Sequence, residues 1–386
     1  MTSSYYQDSS CSLAEYGLSR DRRKDNNLLL LALGVTKEGF PFYWKVLPGG
    51  VGDCLRVSKA VDCFKRDIRI ENFIVVMDKG MLSNENIEFL EKKGIFYITT
   101  IGKHRIRKLA DFPFDLLKEI GEKIEKNKNI EEIMKDYPYF NYFSTRAYYK
   151  ELSQQGKRRY ILCFNPEKLL EERRQREEKI KSICRYLEKW NKKLKKARYK
   201  KDEKKIEKEI YAYLKKNKSE NYFKIKFERN KINWQLNYEK LQKIELQDGI
   251  WCILTNLPKD KKVDFLISSY LKRRKGQVPF HYLKGFIEIR PFYHHKEEPV
   301  KAHITLCILA YLLEVSLEYL LKESGYKFTY QEFMDRVRNI KAVEVEIKSR
   351  KEKNIKLTEI PEEINEILMT LKIGEINEEN FIKKLI

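Results

Sequence analysis

The apolar run Phe73-Ile74-Val75-Val76-Met77 ends in Asp78. Such a run reads as a buried β-strand, and in an open α/β sheet ligands collect beyond the carboxyl ends of the strands. An acid at that edge is a common way to hold a divalent metal. The ordinary alternative is a helix-capping or salt-bridged aspartate. The neighbouring sequence supports a layered arrangement. Residues 28–36 and 41–47 read as two strands joined by the turn Lys37-Glu38-Gly39. Pro48-Gly49-Gly50-Val51-Gly52-Asp53 is a glycine-rich loop, and a helix follows over 54–66. A second helix over 84–93 begins at Ser83 or Asn84, with acids early and lysines late. Phe96 to Ile101 is a further strand. Hairpin, helix, strand, helix, strand is the order of an α/β layer.

The chain of 386 residues is long enough for one large domain with an insertion, or for two domains. Hydrophobic residues at 42% and aromatics at 12% can fill a sizeable core, which excludes global disorder. Lys and Arg number 79 against 57 Asp and Glu, a net charge of +22 that points to a polyanionic partner. The alternative is lysine-filled solvated faces. The seven cysteines include no Cys-x-x-Cys pair, which fits a reducing cytosol rather than a zinc ribbon or a disulfide framework. No signal peptide is expected at the start. The most apolar stretch, Ile304 to Leu321, contains Glu314 and Glu318 and reads as a buried core helix rather than a membrane span.

Between 166 and 218 the character changes. Ile180, Ile183, Leu187, Trp190, Leu194 and Ala197 recur at spacings of three and four, a narrow seam of coiled-coil type. Ile206, Ile210, Tyr213 and Leu214 suit a second helix returning along the first. This segment holds 21 Lys and Arg against 10 Asp and Glu. It reads either as a DNA-contacting or dimerising arm, or as a helical hairpin with a solvated basic face. Alternation returns in Phe223–Phe227 and Trp234–Tyr238, and Ile250 to Leu254 is a strand after the turn Asp248-Gly249. The stretch after 340 is charged and weakly patterned.

Tyr270, Arg273, Gln277 and Lys284 form the run Tyr-x2-Arg-x3-Gln-x6-Lys. On one helix it would place two cations on nearby turns, which suits a nucleic-acid phosphate. Two-metal phosphodiester cleavage needs two or three acids converging from separate elements, because Mg²⁺ takes few protein ligands, mainly carboxylates. Asp78 is placed to be one. His294, His295 and His303 lie near Glu297 and Glu298, but their spacing matches no zinc motif.

Ile74 to Ser83, followed by Asn86, resembles the second-aspartate block of insertion-sequence transposases of the DDE, ribonuclease H-like superfamily. The closer likeness is to the insertion-sequence-four type, whose signature is Tyr-x2-Arg-x3-Glu-x6-Lys. Tyr270, Arg273 and Lys284 meet that spacing. Further blocks follow the family order. Tyr16-Gly17-Leu18-Ser19-Arg20-Asp21 with Arg23 and Asp25 resembles the block before the hairpin. Leu47-Pro48-Gly49 through Asp53 resembles a Gly-Asn-x-x-Asp loop, with Gly50 for Asn. Asp248-Gly249 and Thr255-Asn256 resemble the strand after the insertion. Ile289-Arg290-Pro291 with Tyr293-His294, then Ala302-His303, resembles the helix pair after the signature. The likeness covers about residues 1–320.

The resemblance implies an α/β fold with a ribonuclease H-like core, a mixed sheet flanked by helices. The core would use residues 1–110 and 262–325, interrupted by an α+β insertion over 111–261 with the basic helical hairpin, and followed by a charged C-terminal region over 326–386. It implies strand cleavage and transfer at element ends with Mg²⁺ or Mn²⁺. Asp78 would be the catalytic metal ligand, and Tyr270, Arg273, Lys284 and Arg290 would contact DNA. The implied partners are double-stranded DNA carrying terminal repeats and a second copy on that DNA, in the cytoplasm at the nucleoid. Two departures limit the activity. The family's first strand ends in Asp-x-Thr-Ser-x-Tyr; aligned on Thr2-Ser3, its Asp falls one residue before Met1, so that strand is expected to be missing, and Asp8 is too far along to replace it. The signature glutamate is Gln277, which offers a neutral carbonyl oxygen. The expectation is an impaired transposase, or an inactive relic that binds DNA or interferes with full-length copies.

Overall fold

A computed structural model describes residues 2–6, 11–16, 27–50, 53–70, 72–109, 111–126, 129–152, 156–196, 203–228, 231–290, 292–347 and 352–372. Asp8 and the block Gly17 to Asp25 lie outside the described residues, as do Pro291 and Ala197. In chain order the elements begin with β1 (Thr2–Tyr6), β2 (Glu15–Tyr16), β3 (Asn27–Val35), β4 (Pro41–Pro48), α1 (Asp53–Ile68), β5 (Ile74–Val76), α2 (Asn84–Lys92) and β6 (Phe96–Ile101). The middle of the chain forms α3 (Lys103–Ile106), α4 (Phe114–Lys126), α5 (Ile130–Ile133), β7 (Tyr139–Tyr142), β8 (Thr145–Glu151), β9 (Arg159–Phe164), α6 (Pro166–Lys196), α7 (Glu203–Lys216), β10 (Phe223–Glu228), β11 (Lys231–Leu236), α8 (Tyr238–Glu245) and β12 (Ile250–Thr255). The remainder is α9 (Val263–Lys272), α10 (Val278–Lys284), α11 (Glu297–Glu323), α12 (Tyr330–Val337), β13 (Ala342–Ile347), β14 (Glu352–Leu357) and α13 (Glu362–Thr370). The class is mixed α/β. By contact the chain forms two compact units, residues 1–60 with 272–386, and residues 61–271. The segments drawn from the sequence end instead at 110, 261 and 325.

The unit 61–271 is built on a six-stranded sheet in the order β5-β6-β12-β9-β8-β7. β5 and β6 are parallel, and every other pairing in it is antiparallel. The inner strands β9 (RYILCF) and β12 (IWCILT) are nearly continuous apolar runs, as strands covered on both faces require. α9 packs Leu266, Ile267 and Tyr270 over Ile98, Ile161, Cys163 and Ile253. The apolar pattern between 101 and 166 does not announce β7 and β8, because these outer strands carry aromatics and charges.

In the same unit α6 and α7 form the expected hairpin. Ile183, Leu187, Trp190 and Leu194 meet Ile206, Ile210 and Leu214, and Phe223 and Ile232 of the β10–β11 hairpin complete the cluster. Asn191 clamps this junction. Its side-chain amide donates to the Ile232 carbonyl (2.9 Å) and accepts from the Ile232 N–H (2.7 Å). At the base of α6, Arg176 pairs with Asp248 in a buried bridge. Burial lifts the Asp248 carboxyl, opposed by that guanidinium. Gly249 next to it has φ +67°, and a Cβ there would stand 2.4 Å from the Asn165 carbonyl oxygen, so the turn requires glycine.

The other unit contains a four-stranded antiparallel sheet in which β3 pairs with β1, β2 and β4. Thr2–Tyr6 forms β1 against β3, with Thr2 opposite Leu31. Among the described residues the strands form four hydrogen-bonded sheets, and the six strands before residue 110 divide between the four-stranded one (β1–β4) and the six-stranded one (β5 and β6), whereas a single sheet is expected of the core. Gly49 closes the end of β4; a Cβ there would lie 1.7 Å from the Leu28 carbonyl oxygen. α11 buries Ile304, Ile308, Tyr311 and Val315 in a cluster with Leu29 and Leu31. Read from the sequence as a buried core helix, α11 buries only one side; Leu306 and Leu313 are 67% and 72% exposed. By length and composition it could cross a membrane, yet that buried side is covered by protein. The charged region after 326 contains regular elements among its described residues. α12 and α13 close a small core of Leu321, Phe333, Ile364, Ile367 and Leu368, and β13 pairs with β14.

Candidate functional site

Asp78 stands where the sequence places it, two residues beyond β5. The Met77 N–H still donates to the Ile98 carbonyl of β6 (2.9 Å), so parallel pairing runs to the edge of Asp78. There the backbone stays extended (φ −78°, ψ 156°), and Asp78 Oδ1 accepts from the Lys79 N–H (2.9 Å), capping the 3₁₀ turn Lys79–Met81. This is the capping role weighed as its ordinary alternative. The loop is fixed from below. Ser83 caps α2 through the Asn86 N–H (3.1 Å), and the buried Asn86 side chain donates to the Met81 carbonyl (2.8 Å). Asn86 therefore serves the shape of the Asp78 loop.

Tyr270 belongs to the same unit. Its ring is 6% exposed, and its hydroxyl lies 2.7 Å from Thr100 Oγ1. Thr100 is two residues beyond Ile98, the partner of Val76, as Asp78 is two beyond Val76. Tyr270 thus engages β6 at the register of Asp78. It is a core residue whose hydroxyl bonds inside the protein, a correction to its expected place on the DNA. Thr255 and Asn256 are structural too: Thr255 Oγ1 donates to the Tyr97 carbonyl (2.6 Å), and Asn256 bonds both the Tyr97 N–H (2.8 Å) and the Ile95 carbonyl (3.0 Å).

The expected signature helix is not one α-helix. α9 ends at Lys272, residues Arg273–Gln277 wind as a 3₁₀ turn, and α10 begins at Val278 with a proline in its first turn. Pro279 has no N–H to donate to the preceding turn, and Gly276 has the weakest helix propensity after proline, so the α-helical ladder breaks between them. Tyr270 falls in one unit, and Arg273, Gln277, Lys284 and Arg290 fall in the other. Gln277 is exposed at the N-cap of α10 without capping through its side chain. Lys284 lies in the last turn of α10, where a cation suits the helix dipole. Arg273 and Arg290 are both partly exposed. Arg290 sits between Ile289 and Phe292 positions that are buried, with the His303 ring 3.1 Å from the Ile289 carbonyl. His303 is thereby a structural histidine.

A pair of Mg²⁺ ions needs converging anions. Among the described residues, no group of three His, Cys, Asp or Glu side chains is arranged to hold a metal. Asp78 already spends one oxygen on a backbone cap, and Gln277 is neutral. These residues do not fit a two-metal centre.

A cavity of about 480 Å³ is lined by residues of the β3–β4 turn, Thr36 to Gly39, and by Tyr282, Tyr311, Glu318 and Tyr319. Glu314 on the same helix is 4% exposed, its Oε2 has no hydrogen-bond partner, and burial together with Glu318 pushes its carboxyl up to about 7. The spacing Glu314–Glu318 on an apolar helix was its only sequence signal.

No family of known proteins, no curated protein and no solved structure matches this chain.

Proposed function

We propose that the chain is a duplex-DNA-binding protein of DDE-transposase descent that lacks strand-transfer activity, with Arg273, Lys284 and Arg290 as phosphate contacts. The observation that carries this reading is the donor set. Asp78 lies just beyond the end of β5, where the resemblance puts a catalytic acid, while Gln277 stands at the signature acid and, among the described residues, no group of three metal-ligating side chains accompanies either. Cations for DNA remain where acids for metal do not. A ribonuclease H-like core and binding at element ends by a pair of copies belong to the same proposal.

The test uses the full chain with duplex DNA, by fluorescence anisotropy across salt, and with supercoiled plasmid in Mg²⁺ or Mn²⁺. Saturable binding that weakens steeply with salt, without nicking or joining, supports the reading. Nicking that is abolished by Asp78→Ala restores the enzyme. Absence of saturable DNA binding overturns the descent reading as a statement about function.

A further inference from the structure

The arm made by α6 and α7 is charged very unevenly along its length. Residues 166–188 hold seven Lys and Arg against six Asp and Glu, whereas residues 189–208 hold eleven against three. The structure gives the two ends different work. At the base two of the cations, Arg173 and Arg176, are paired to the body of their own unit. Arg176 meets Asp248 and Glu245, Arg173 meets Glu125 and Asp248, and Glu172 accepts from Lys103 (3.0 Å) and from the Gly249 N–H (3.0 Å). These contacts fix the root of α6 to the start of β12. Among its described residues, the far end carries a concentration of exposed lysines.

The hairpin geometry brings the far lysines of both helices together. Tyr186 stacks on Tyr213 with ring centroids 3.8 Å apart, which sets the antiparallel register. Counting from that pair, Lys205 falls opposite Leu194 and Lys208 opposite Asn191. Lys189, Lys192, Lys193, Lys195, Lys205 and Lys208 therefore share one end of the arm, and all are exposed. Lys193 Nζ lies 4.9 Å from the Trp190 ring centroid. The seam beneath is packed, and Asn191 ties it to β11, so the charges ride on a braced support. At 1.5 Å per residue, Lys195 lies about 44 Å along the helix from Pro166.

We infer that the end of this arm is a second, sequence-independent contact for the phosphate backbone of duplex DNA, separate from Arg273, Lys284 and Arg290. The inference rests on the proposed DNA binding. A dense lysine cluster on a stiff support neutralises several phosphates at once and releases their counterions, whereas it carries no means of reading base edges. Lysine acts here as a point charge, which suits a backbone rather than a base.

The test replaces those six lysines with Gln in the full chain and compares anisotropy titrations on a long duplex of random sequence across salt. Each lost phosphate contact should lower the slope of log affinity against log salt by about 0.9, so a fall of about 3 to 5 is expected, with at least about tenfold weaker binding at low salt. Replacement by six arginines should preserve the slope, and far-UV circular dichroism reports the helices of each variant. If the Gln variant binds with an unchanged slope while an Arg273, Lys284 and Arg290 triple variant does not, the arm proposal falls and the first site stands. If the lysines instead govern binding to anionic lipid vesicles or to RNA and leave duplex DNA unaffected, the proposal is likewise overturned. If the unmodified chain fails to bind duplex DNA, the functional reading itself fails first.

Discussion

The helices α6 and α11 are the two longest among the described residues, at 31 and 27 residues, and they relate sequence to position in opposite ways. α6 is mostly polar, with one thin apolar stripe, and nearly all of that stripe is buried: Ile183 and Leu187 are 1% and 0% exposed. α11 is apolar over most of its circumference, yet Ile308 is 0% exposed while Leu313 is 72% exposed. A sparse stripe has one face that can be buried, so periodicity alone locates it. A surplus of apolar residues leaves the choice of face to the neighbours, here Leu29 and Leu31 of β3.

The largest expected effect lies in the thin stripe. Leu187→Ala removes a fully buried side chain from a cluster with few substitutes and should cost about 2–5 kcal/mol, because the lost transfer energy is joined by the cavity left behind. Urea denaturation followed by far-UV circular dichroism measures it. A loss under about 1 kcal/mol would mean that the seam is not the core of the arm, and the contrast with α11 would collapse.

What could be read beforehand follows the same logic. The hairpin β3–β4, the helix started by Ser83, β6 and the arm were legible because each carries a period or a cap that admits one reading. Asp78 was legible as a strand-end acid, and its cap on Lys79 was the alternative already attached to that position. The 3₁₀ break at Arg273–Gln277 was hidden because the signature spacing draws attention to side chains, while Gly276 and Pro279 govern the backbone. Tyr270 was expected on the DNA, and its burial in the cluster with Ile253 is decided by β12, a strand nearly twenty residues earlier in the chain. The small core around Phe333 and Ile367 was obscured by the charges that surround it in sequence.

The intermediate effect is a dependence on pH from the buried side of α11. The Glu314 carboxyl, ordinarily near 4.5, is pushed up to about 7 in the folded chain by burial and by Glu318. The folded state then holds a proton that the unfolded state releases. The sign follows: stability is greatest below the unfolded value and falls as pH rises from about 4.5 to beyond 7. Glu314→Gln keeps the shape without the charge. It should match the wild type near pH 4.5 and exceed it by about 1–3 kcal/mol at pH 8. Parallel urea curves at the two pH values check this, and identical pH dependence in both proteins would remove Glu314 as the cause.

The smallest effect is the sharpest test of the comparison. If α11 is apolar on a side that nothing in its own unit needs, Leu313→Gln should leave stability within about 0.5 kcal/mol, since glutamine is nearly as good a helix former as leucine and no packed contact is lost. The same substitution at Ile308, with the Leu29 and Leu31 cluster around it, buries an amide among side chains that cannot satisfy it and should cost several kcal/mol. Measured side by side, the pair separates placement from composition on one helix. A loss at Leu313 as large as that at Ile308 would show that the exposed side is covered in solution. α11 would then be buried all round, as its composition first suggested, and the difference from α6 would be one of degree.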